Sequence, residues 1–397
     1  MPIRNILLLT TCQLISATGS IVIVTLGGII GARLSDNPAL ATLPVSIMVV
    51  SVASTTIPAA MLMRAIGRRR SFMLASLSAT AAVLLATYAL TAASFAWFIV
   101  SAALFGVNMA FTQQYRYAAA ESVEPGYAAR AISLVLLGAI GGAIIGPELV
   151  RLGEYLIGDV QFAGTLTALA GLYLVQAVLF LFLAPLRGEH EDLHPAPRRS
   201  LAEIVSQPVF VVAVLGGTTA YGVMTLIMTA TPLSMHVNDG YSLEQTAHVI
   251  RSHVLGMYLP SLFTGFLIER IGLSRLMTTG TVALLIACVI GLKGQSVMHY
   301  TFSLVLLGVG WNFLYVGGTS MLTLTYSMAE RFKAQAVNEF SVFGTSATAS
   351  LLAGTVMHLY GWYTLVLLPL PFLLLILAGL YSVRRDARLR RLSPASG

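Results

Sequence analysis

Four side chains on two consecutive hydrophobic segments could together bind a metal ion: Met224 and Met228, then His253 and Met257. Each pair is spaced i, i+4, so its members point the same way from a helix, about 6 Å apart along the axis. If the segments run antiparallel, counting inward from the polar turn between them places Met228 level with His253, and Met224 level with Met257. Three thioethers and one imidazole suit a soft, monovalent metal such as Cu(I).

The elements that must position these side chains are membrane-spanning helices. Of the 397 residues, 57% are hydrophobic and only 10% are charged, and the mean hydropathy is +0.83. A soluble globular protein has about 25% charged residues, so much of this surface must face lipid. Apolar stretches of about 20 residues, enough to cross a bilayer, occur near 5–32, 41–63, 71–91, 95–118, 130–153, 162–186, 209–235, 246–269, 275–293, 298–326, 336–358 and 362–383. The sequence therefore predicts an all-α polytopic membrane protein with twelve transmembrane helices.

The net charge of +7 indicates a membrane orientation and no nucleic-acid partner. If the apolar stretches alternate in direction, most basic residues fall on one side: Arg4, Arg64, Arg68, Arg69, Arg70, Arg116, Arg130, Arg187, Arg198, Arg199, Arg270, Arg275, Arg331, Lys333, Arg384, Arg385, Arg388, Arg390 and Arg391. The other side keeps four: Arg33, Arg151, Arg251 and Lys293. By the positive-inside rule the richer side is cytoplasmic, so we expect both termini there.

A long polar stretch divides the twelve helices into two groups of six. It predicts a six-helix half at 1–186, a cytoplasmic linker at 187–208, and a six-helix half at 209–397 that ends in a basic tail. Within the linker, residues 200–206 are predicted to form a short helix. Two cysteines, Cys12 and Cys288, lie inside apolar stretches and are interpreted as packing residues that form no disulfide.

The two halves echo each other in sequence. Gly67 and the basic residues after it recur at Gly272, an offset of 205, and Asn108 recurs as Asn312, an offset of 204. Two matches at nearly the same offset indicate an internal duplication. Parallel six-helix halves of this kind place a substrate site near the midplane between them in known transporters.

Two loops extend this pattern to a resemblance with the major facilitator superfamily. The loop after the second helix, with Gly67, Arg68 and Arg70, resembles the signature loop of that superfamily, although the usual upstream acid is absent. The loop after the eighth helix keeps more of the motif: Gly265, Glu269, Arg270, Gly272 and Arg275. The resemblance covers the whole chain and implies a major facilitator fold of two pseudo-symmetric halves, with these residues forming cytoplasmic gating loops.

The methionine and histidine pairs resemble a subfamily, the CcoA-like (CalT family) bacterial copper importers. The matching residues are Met224, Met228, His253 and Met257. The resemblance implies import of copper across the bacterial inner (plasma) membrane by alternating access. Copper would then be the transported substrate, with no cofactor required, and a periplasmic copper donor would be a candidate partner. Some relatives have been labelled riboflavin transporters, which keeps that substrate as an alternative.

Other polar and aromatic residues are candidates for supporting roles. Met235, His236 and His248 lie at the outer end of the same two helices and could pass an ion inward, or could be an interfacial methionine and two solvated histidines. Candidates for lining a cavity are Asn108, Arg116, Trp311 and Asn312. Arg116 could equally extend toward the cytoplasmic headgroups. Trp311 and Tyr315, one turn apart, could stack on an aromatic substrate or pack in a core.

Three other classes of function remain as alternatives or are set aside. A proton-coupled transporter of a small organic compound, riboflavin-like or drug-like, uses the same fold, but this chain has few carboxylates inside its apolar stretches. A non-transporting membrane sensor is a remote alternative. An enzyme is not expected, because no catalytic grouping or phosphate-binding glycine loop is present. We expect a monomer whose partners are the lipid bilayer and the transported substrate.

Overall fold

The computed structural model describes residues 3–35, 40, 43–153, 160–186, 199–386 and 389. These residues form helices joined by short turns and contain no β-strand. By internal packing the chain divides into two units. Unit 1 comprises Met1–Glu124 and Leu134–Leu193, and unit 2 comprises Pro125–Ser133 and His194–Gly397.

The first seven helices include the six predicted crossings of the N-terminal half. They are α1 (Ile3–Leu34), α2 (Leu43–Ile66), α3 (Arg68–Thr91), α4 (Phe95–Thr112), α5 (Tyr115–Glu121), α6 (Ala128–Gly153) and α7 (Ala163–Phe180). The core of unit 1 contains small residues that let the helices approach closely, and larger rings such as Phe105 and Tyr173, whose centroids lie 5.9 Å apart. Apolar side chains that point outward from these helices are exposed, as expected for a surface that faces lipid.

The remaining helices belong to unit 2. They are α8 (Leu201–Val205), α9 (Pro208–Pro232), α10 (Leu243–Tyr258), α11 (Ser261–Ile271), α12 (Leu273–Lys293), α13 (Val297–Leu322), α14 (Arg331–Leu367) and α15 (Leu370–Val383). A π-helical segment, Leu233–Asn238, follows α9. Two capping boxes fix helix starts, since Ser200 caps α8 with Glu203, and Ser242 caps α10 with Gln245.

The number of membrane crossings agrees with the predicted twelve. Among the described residues ten helices are long and apolar enough to cross a membrane, and the pair α10 and α11, bent by 41°, makes an eleventh. One of the ten is the 53-residue stretch Arg331–Val383. A straight helix of that length would be about 80 Å long, against a hydrocarbon core of about 30 Å. Gly361, at φ 76° and ψ 179°, interrupts it, so we count two crossings there.

The duplication is visible in backbone geometry. Gly67 joins α2 to α3 at φ 81° and ψ 162°, and Gly272 joins α11 to α12 at φ 86° and ψ 157°. A positive φ of this kind strongly favours glycine. The same helix pairs also approach closely in both units: α4 approaches the α2 backbone at Gly106, and α13 approaches the α10 backbone at Gly308, whereas Gly310, the sequence counterpart of Gly106, lies against α12. Both units therefore share one local architecture.

One segment inside the predicted N-terminal half belongs to unit 2. The predicted N-terminal half runs without interruption over 1–186, yet Pro125–Ser133 packs with unit 2. The cause is close packing on α11: a Cβ on Gly265 would lie 2.7 Å from the Arg130 Cα, and Arg130 forms an ion pair with Glu269. The Arg130 guanidinium also lies over the Phe266 ring, 4.3 Å from its centroid.

Parts of the predicted linker and tail lie outside the described residues, namely 187–198, 387–388 and 390–397. The described end of the linker contains the predicted short helix, α8. Arg199, just before this helix, donates through Nε and Nη2 to the two carboxylate oxygens of Glu330, at 2.9 and 2.7 Å. Cys12 and Cys288 are buried, free, and in different units.

Candidate functional site

His253, a polar residue in α10 of unit 2, is fully buried. Its Nδ1 lies 2.7 Å from the backbone oxygen of Leu304 on α13. A carbonyl oxygen only accepts, so Nδ1 carries the proton and donates. The neutral ring then leaves a lone pair on Nε2, which has no hydrogen-bond partner in the described part of the chain. A buried acceptor of this kind can receive a hydrogen bond from a ligand or coordinate a metal.

The neighbouring helix α13 holds this part of α10 very closely. A Cβ added to Gly308 would lie 2.6 Å from the His253 oxygen and 2.7 Å from the Met257 nitrogen. α10 packs mainly on α13 and only lightly on α9. The face of α10 that carries His253 is therefore positioned by α13, a helix that took no part in the predicted metal site.

The predicted methionine ligands are mostly enclosed. Met224 and Met257 are buried, and Met228 is half-buried. Within the described residues no group of three or more His, Cys, Asp and Glu side chains could hold a metal. Any metal site here would thus depend on thioether ligands, and the proposed set of four stays a prediction.

Five aromatic side chains, which we call the aromatic cluster, connect α9, α10, α13 and α14: Tyr221, Tyr258, Trp311, Tyr315 and Phe343. Trp311 and Tyr315 are stacked, with centroids 4.9 Å apart and planes at 25°. Tyr221 meets Trp311 at 5.3 Å and Tyr258 meets it at 5.8 Å, both edge to face. Such pairs add roughly 0.5–1.5 kcal/mol each beyond the area they bury.

The cluster supports the predicted depth relation between α9 and α10. Tyr221 and Tyr258 contact the same ring, Trp311, so they lie at similar depth. Tyr221 precedes Met224 by three residues and Tyr258 follows Met257 by one. The antiparallel register that places Met224 near the level of Met257 therefore agrees with these contacts.

The outer candidates do not share one exposed surface. Met235 is fully buried, whereas His236 and His248 are exposed. The Nδ1 of His236 lies 2.7 Å from the backbone oxygen of Tyr241, which fixes this ring against the turn. A path for ions through all three residues receives no support from their placement.

The candidate cavity residues separate into bonded and unbonded side chains. Asn312 donates to the Met257 oxygen at 2.7 Å and to Ser261 Oγ at 2.6 Å, and accepts from Thr264 at 2.7 Å. It therefore braces the break between α10 and α11. Asn108, its counterpart in unit 1, is fully buried and neither polar atom of its side chain has a hydrogen-bond partner among the described residues.

Arg116 and the aromatic candidates, Trp311 and Tyr315, are all buried. Arg116 is 2% exposed, and its guanidinium contacts Gln113 and Tyr117. That placement does not fit extension toward the headgroups. Trp311 and Tyr315 are buried, which agrees with packing, although the Trp311 Nε1 donor has no acceptor within the described residues.

The predicted gating loops contain one partner that the motif did not indicate. Arg68 is completely buried and forms a two-pronged ion pair with Glu121, at 2.7 and 2.6 Å. Glu121 is the last residue of α5, 53 residues away from Arg68 in sequence. In contrast, Arg70, Arg270 and Arg275 are exposed.

Comparison with known proteins supports the fold. The family model described as Major Facilitator Superfamily matches residues 9–257 and 214–397. The chain is 40% identical to the riboflavin transporter RfnT of Brucella anthropi, over 95% of each chain. Two solved structures share the fold: the Escherichia coli fucose:proton symporter FucP (14% identity, 95% and 98% coverage, TM-score 0.73) and the human organic anion transporter MFSD10 (14%, 96% and 100%, 0.74). The chain is a multi-pass membrane transporter, not an enzyme, and it belongs to the Major Facilitator Superfamily.

Proposed function

We propose that this protein transports riboflavin or a similar planar heteroaromatic compound across the plasma membrane. The observation that carries the proposal is the 40% identity, over 95% of both chains, with a protein named as a riboflavin transporter. The proposal takes the organic-substrate alternative from the sequence ahead of copper import, because the named relative favours that alternative. Import, alternating access and cytoplasmic termini are part of the same proposal.

The aromatic cluster supports a planar aromatic substrate. Ligand sites are lined mainly by apolar and aromatic side chains, with a few polar groups that fix orientation. The rings of Trp311 and Tyr315 stack face to face on each other. Tyr221 and Tyr258 are only partly buried, so each has exposed ring surface that a ligand could contact. The unpaired Nε1–H of Trp311 and the unpaired Nε2 of His253 supply one donor and one acceptor in the same unit.

Uptake of labelled riboflavin tests the proposal. Cells without riboflavin uptake of their own should accumulate it when they express the wild-type chain. Tyr258→Leu should reduce this uptake about tenfold, since one aromatic contact is worth about 1 kcal/mol or more. The matched control is Tyr88→Leu, because Tyr88 is 55% exposed on α3. If cells that express the wild-type chain accumulate no riboflavin, the proposal that it transports riboflavin is refuted.

Copper remains a second candidate because of one observation, the unpaired Nε2 of the buried His253 beside Met257. A neutral imidazole and thioethers are good ligands for Cu(I). A periplasmic copper donor would belong to this hypothesis alone. The same cells, supplied with radioactive copper, separate the two candidates.

On the copper hypothesis, His253→Leu and Met228→Leu abolish copper uptake while the protein still reaches the membrane. Met298→Leu is the matched control, since Met298 is 67% exposed. Copper accumulation that is the same in wild-type cells and in cells with an empty vector would exclude copper as the substrate.

A further inference from the structure

Asn108 has an environment that a structural asparagine does not normally have. It lies in α4 of unit 1, is 0% exposed, and both Oδ1 and Nδ2 lack hydrogen-bond partners among the described residues. Each unpaired buried polar group costs about 1–3 kcal/mol. A side chain that carries two such groups is retained at a stability cost, and this points to a partner that comes from outside the chain.

The duplicated structure contains its own control. Asn312 on α13 matches Asn108 in sequence, and its amide is bonded to Met257, Ser261 and Thr264. There the asparagine braces the break between α10 and α11. α2, which corresponds to that helix pair, continues unbroken from Leu43 to Ile66. Unit 1 therefore has no helix break for Asn108 to brace.

The polar side chains near Asn108 are hydrogen-bonded to one another. One turn along α4, Thr112 donates to Ser16 at 3.2 Å, and Ser16 donates to Gln176 at 3.2 Å. Gln176 in turn donates to Ser76 and Tyr115, at 3.0 and 2.9 Å. This network joins five helices, α1, α3, α4, α5 and α7, without using the Asn108 side chain.

Asn108 also points away from α2. A Cβ on Gly106 would lie 2.3 Å from the Met48 oxygen, so Gly106 marks the face of α4 that packs on α2. A residue two positions further along an α-helix is rotated by about 200° around the helix axis. Asn108 is therefore on roughly the opposite face, where it cannot bond the α2 backbone.

We propose that Asn108 is the polar recognition residue of unit 1 for the transported compound. It would pair with an N–H donor that stands beside a C=O acceptor. A carboxamide offers one acceptor and one donor in a plane, and an imide edge, such as that of the flavin ring, presents the complementary pair. A soft metal ion makes no use of this group, because Cu(I) selects sulfur and imidazole ligands. The inference rests on the proposed function and specifies which edge of the substrate is read.

The test compares Asn108→Leu with Asn312→Leu in the purified full-length protein. Leucine has the same branched arrangement of side-chain heavy atoms as asparagine but no polar atoms. For Asn108→Leu the melting temperature should stay the same or rise, since two unpaired groups are removed, while riboflavin affinity falls about 10- to 100-fold for two lost hydrogen bonds. For Asn312→Leu the melting temperature should fall, because the three hydrogen bonds of the Asn312 amide are lost. A melting temperature lowered by Asn108→Leu would overturn the inference.

A second ligand locates the contact on the substrate. Riboflavin methylated at the imide nitrogen cannot donate there, so the wild type should bind it at least about tenfold more weakly than riboflavin. Asn108→Leu should bind the two flavins equally. Equal riboflavin affinity of wild type and Asn108→Leu overturns this inference alone. A wild type that binds neither flavin overturns the proposed function together with the inference.

Discussion

At the residue scale, two charged side chains of this protein are paired with opposite charges distant in sequence. Arg68 is held by Glu121, and the partly exposed Arg199 is held by the buried Glu330. The Arg68 motif was visible in the sequence, but its partner was not, because the two are 53 residues apart. Only packing of α3 against the end of α5 brings them together.

Removing Glu121 should destabilise unit 1 strongly. Glu121→Gln leaves the buried Arg68 without its carboxylate, and breaking a buried ion pair costs about 3–5 kcal/mol. A thermal melt of the purified protein measures the loss. The double variant Arg68→Met, Glu121→Leu should recover most of it, since apolar replacement of a buried pair is often neutral. A double variant no more stable than Glu121→Gln would contradict this explanation.

The ion pair of Glu330 gives a pH-dependent prediction. Hydrogen bonds from the Arg199 side chain lower the pKa of Glu330 from 4.5 to about 2. A lowered folded-state pKa means that the stabilisation is complete above about pH 4.5 and is lost as the pH falls toward about 2. Because Arg199 is 41% exposed, we expect about 1–2 kcal/mol.

Melts of wild type and Glu330→Gln between about pH 7 and 3 check this. Their difference should be constant from pH 7 to about pH 4.5 and then shrink. A difference that stays the same below pH 4 would mean that the pair does not set the pKa of Glu330.

At the element scale, the helices of unit 2 approach through glycine. Gly308 allows α13 to touch the α10 backbone at His253. The contact with α13 determines where the candidate ligands of α10 lie more than the contact with α9 does. The sequence placed the site on α9 and α10 because they are consecutive, whereas packing assigns α10 mainly to α13.

Gly308→Ala should separate α10 from α13. Its Cβ would lie 2.6 Å from the His253 oxygen, so backbone must move, at a cost of about 1–3 kcal/mol. Substrate uptake should fall as well, because His253 and Tyr258 shift together. Gly344→Ala is the matched control: nothing lies within 4 Å of its added Cβ, so a gain of about 0.5–1 kcal/mol is expected. Thermal melts and uptake measure both variants, and a Gly308→Ala protein as stable as wild type would refute the packing argument.

At the scale of the whole molecule, the prediction concerns orientation. The distribution of basic residues predicts that both termini lie in the cytoplasm. A green fluorescent protein fused after the C-terminus should therefore fluoresce, and alkaline phosphatase fused there should be inactive. The reverse is expected for fusions at Gly240, in the turn between the seventh and eighth crossings. An active C-terminal phosphatase would mean that the topology is inverted or that the number of crossings is odd.

The sequence by itself determined the all-helical membrane fold, the approximate number of crossings and the superfamily. Those properties follow from hydropathy, charge and short motifs, which act through the composition of each segment and need no knowledge of its neighbours. Gly67 and Gly272 were identified in this way, and the structure places both at positive φ.

Only the tertiary structure decided what individual polar residues do. Asn108 and Asn312 are matched in sequence, yet the side chain of Asn108 has no hydrogen-bond partner among the described residues, whereas that of Asn312 has three. The sequence likewise grouped His253 with methionines, and it could not show that the Nδ1 of this ring bonds the Leu304 carbonyl. The physical reason is that a hydrogen bond requires two groups within about 3 Å. In a bundle of helices, that proximity is set by which faces pack together, over separations of tens of residues.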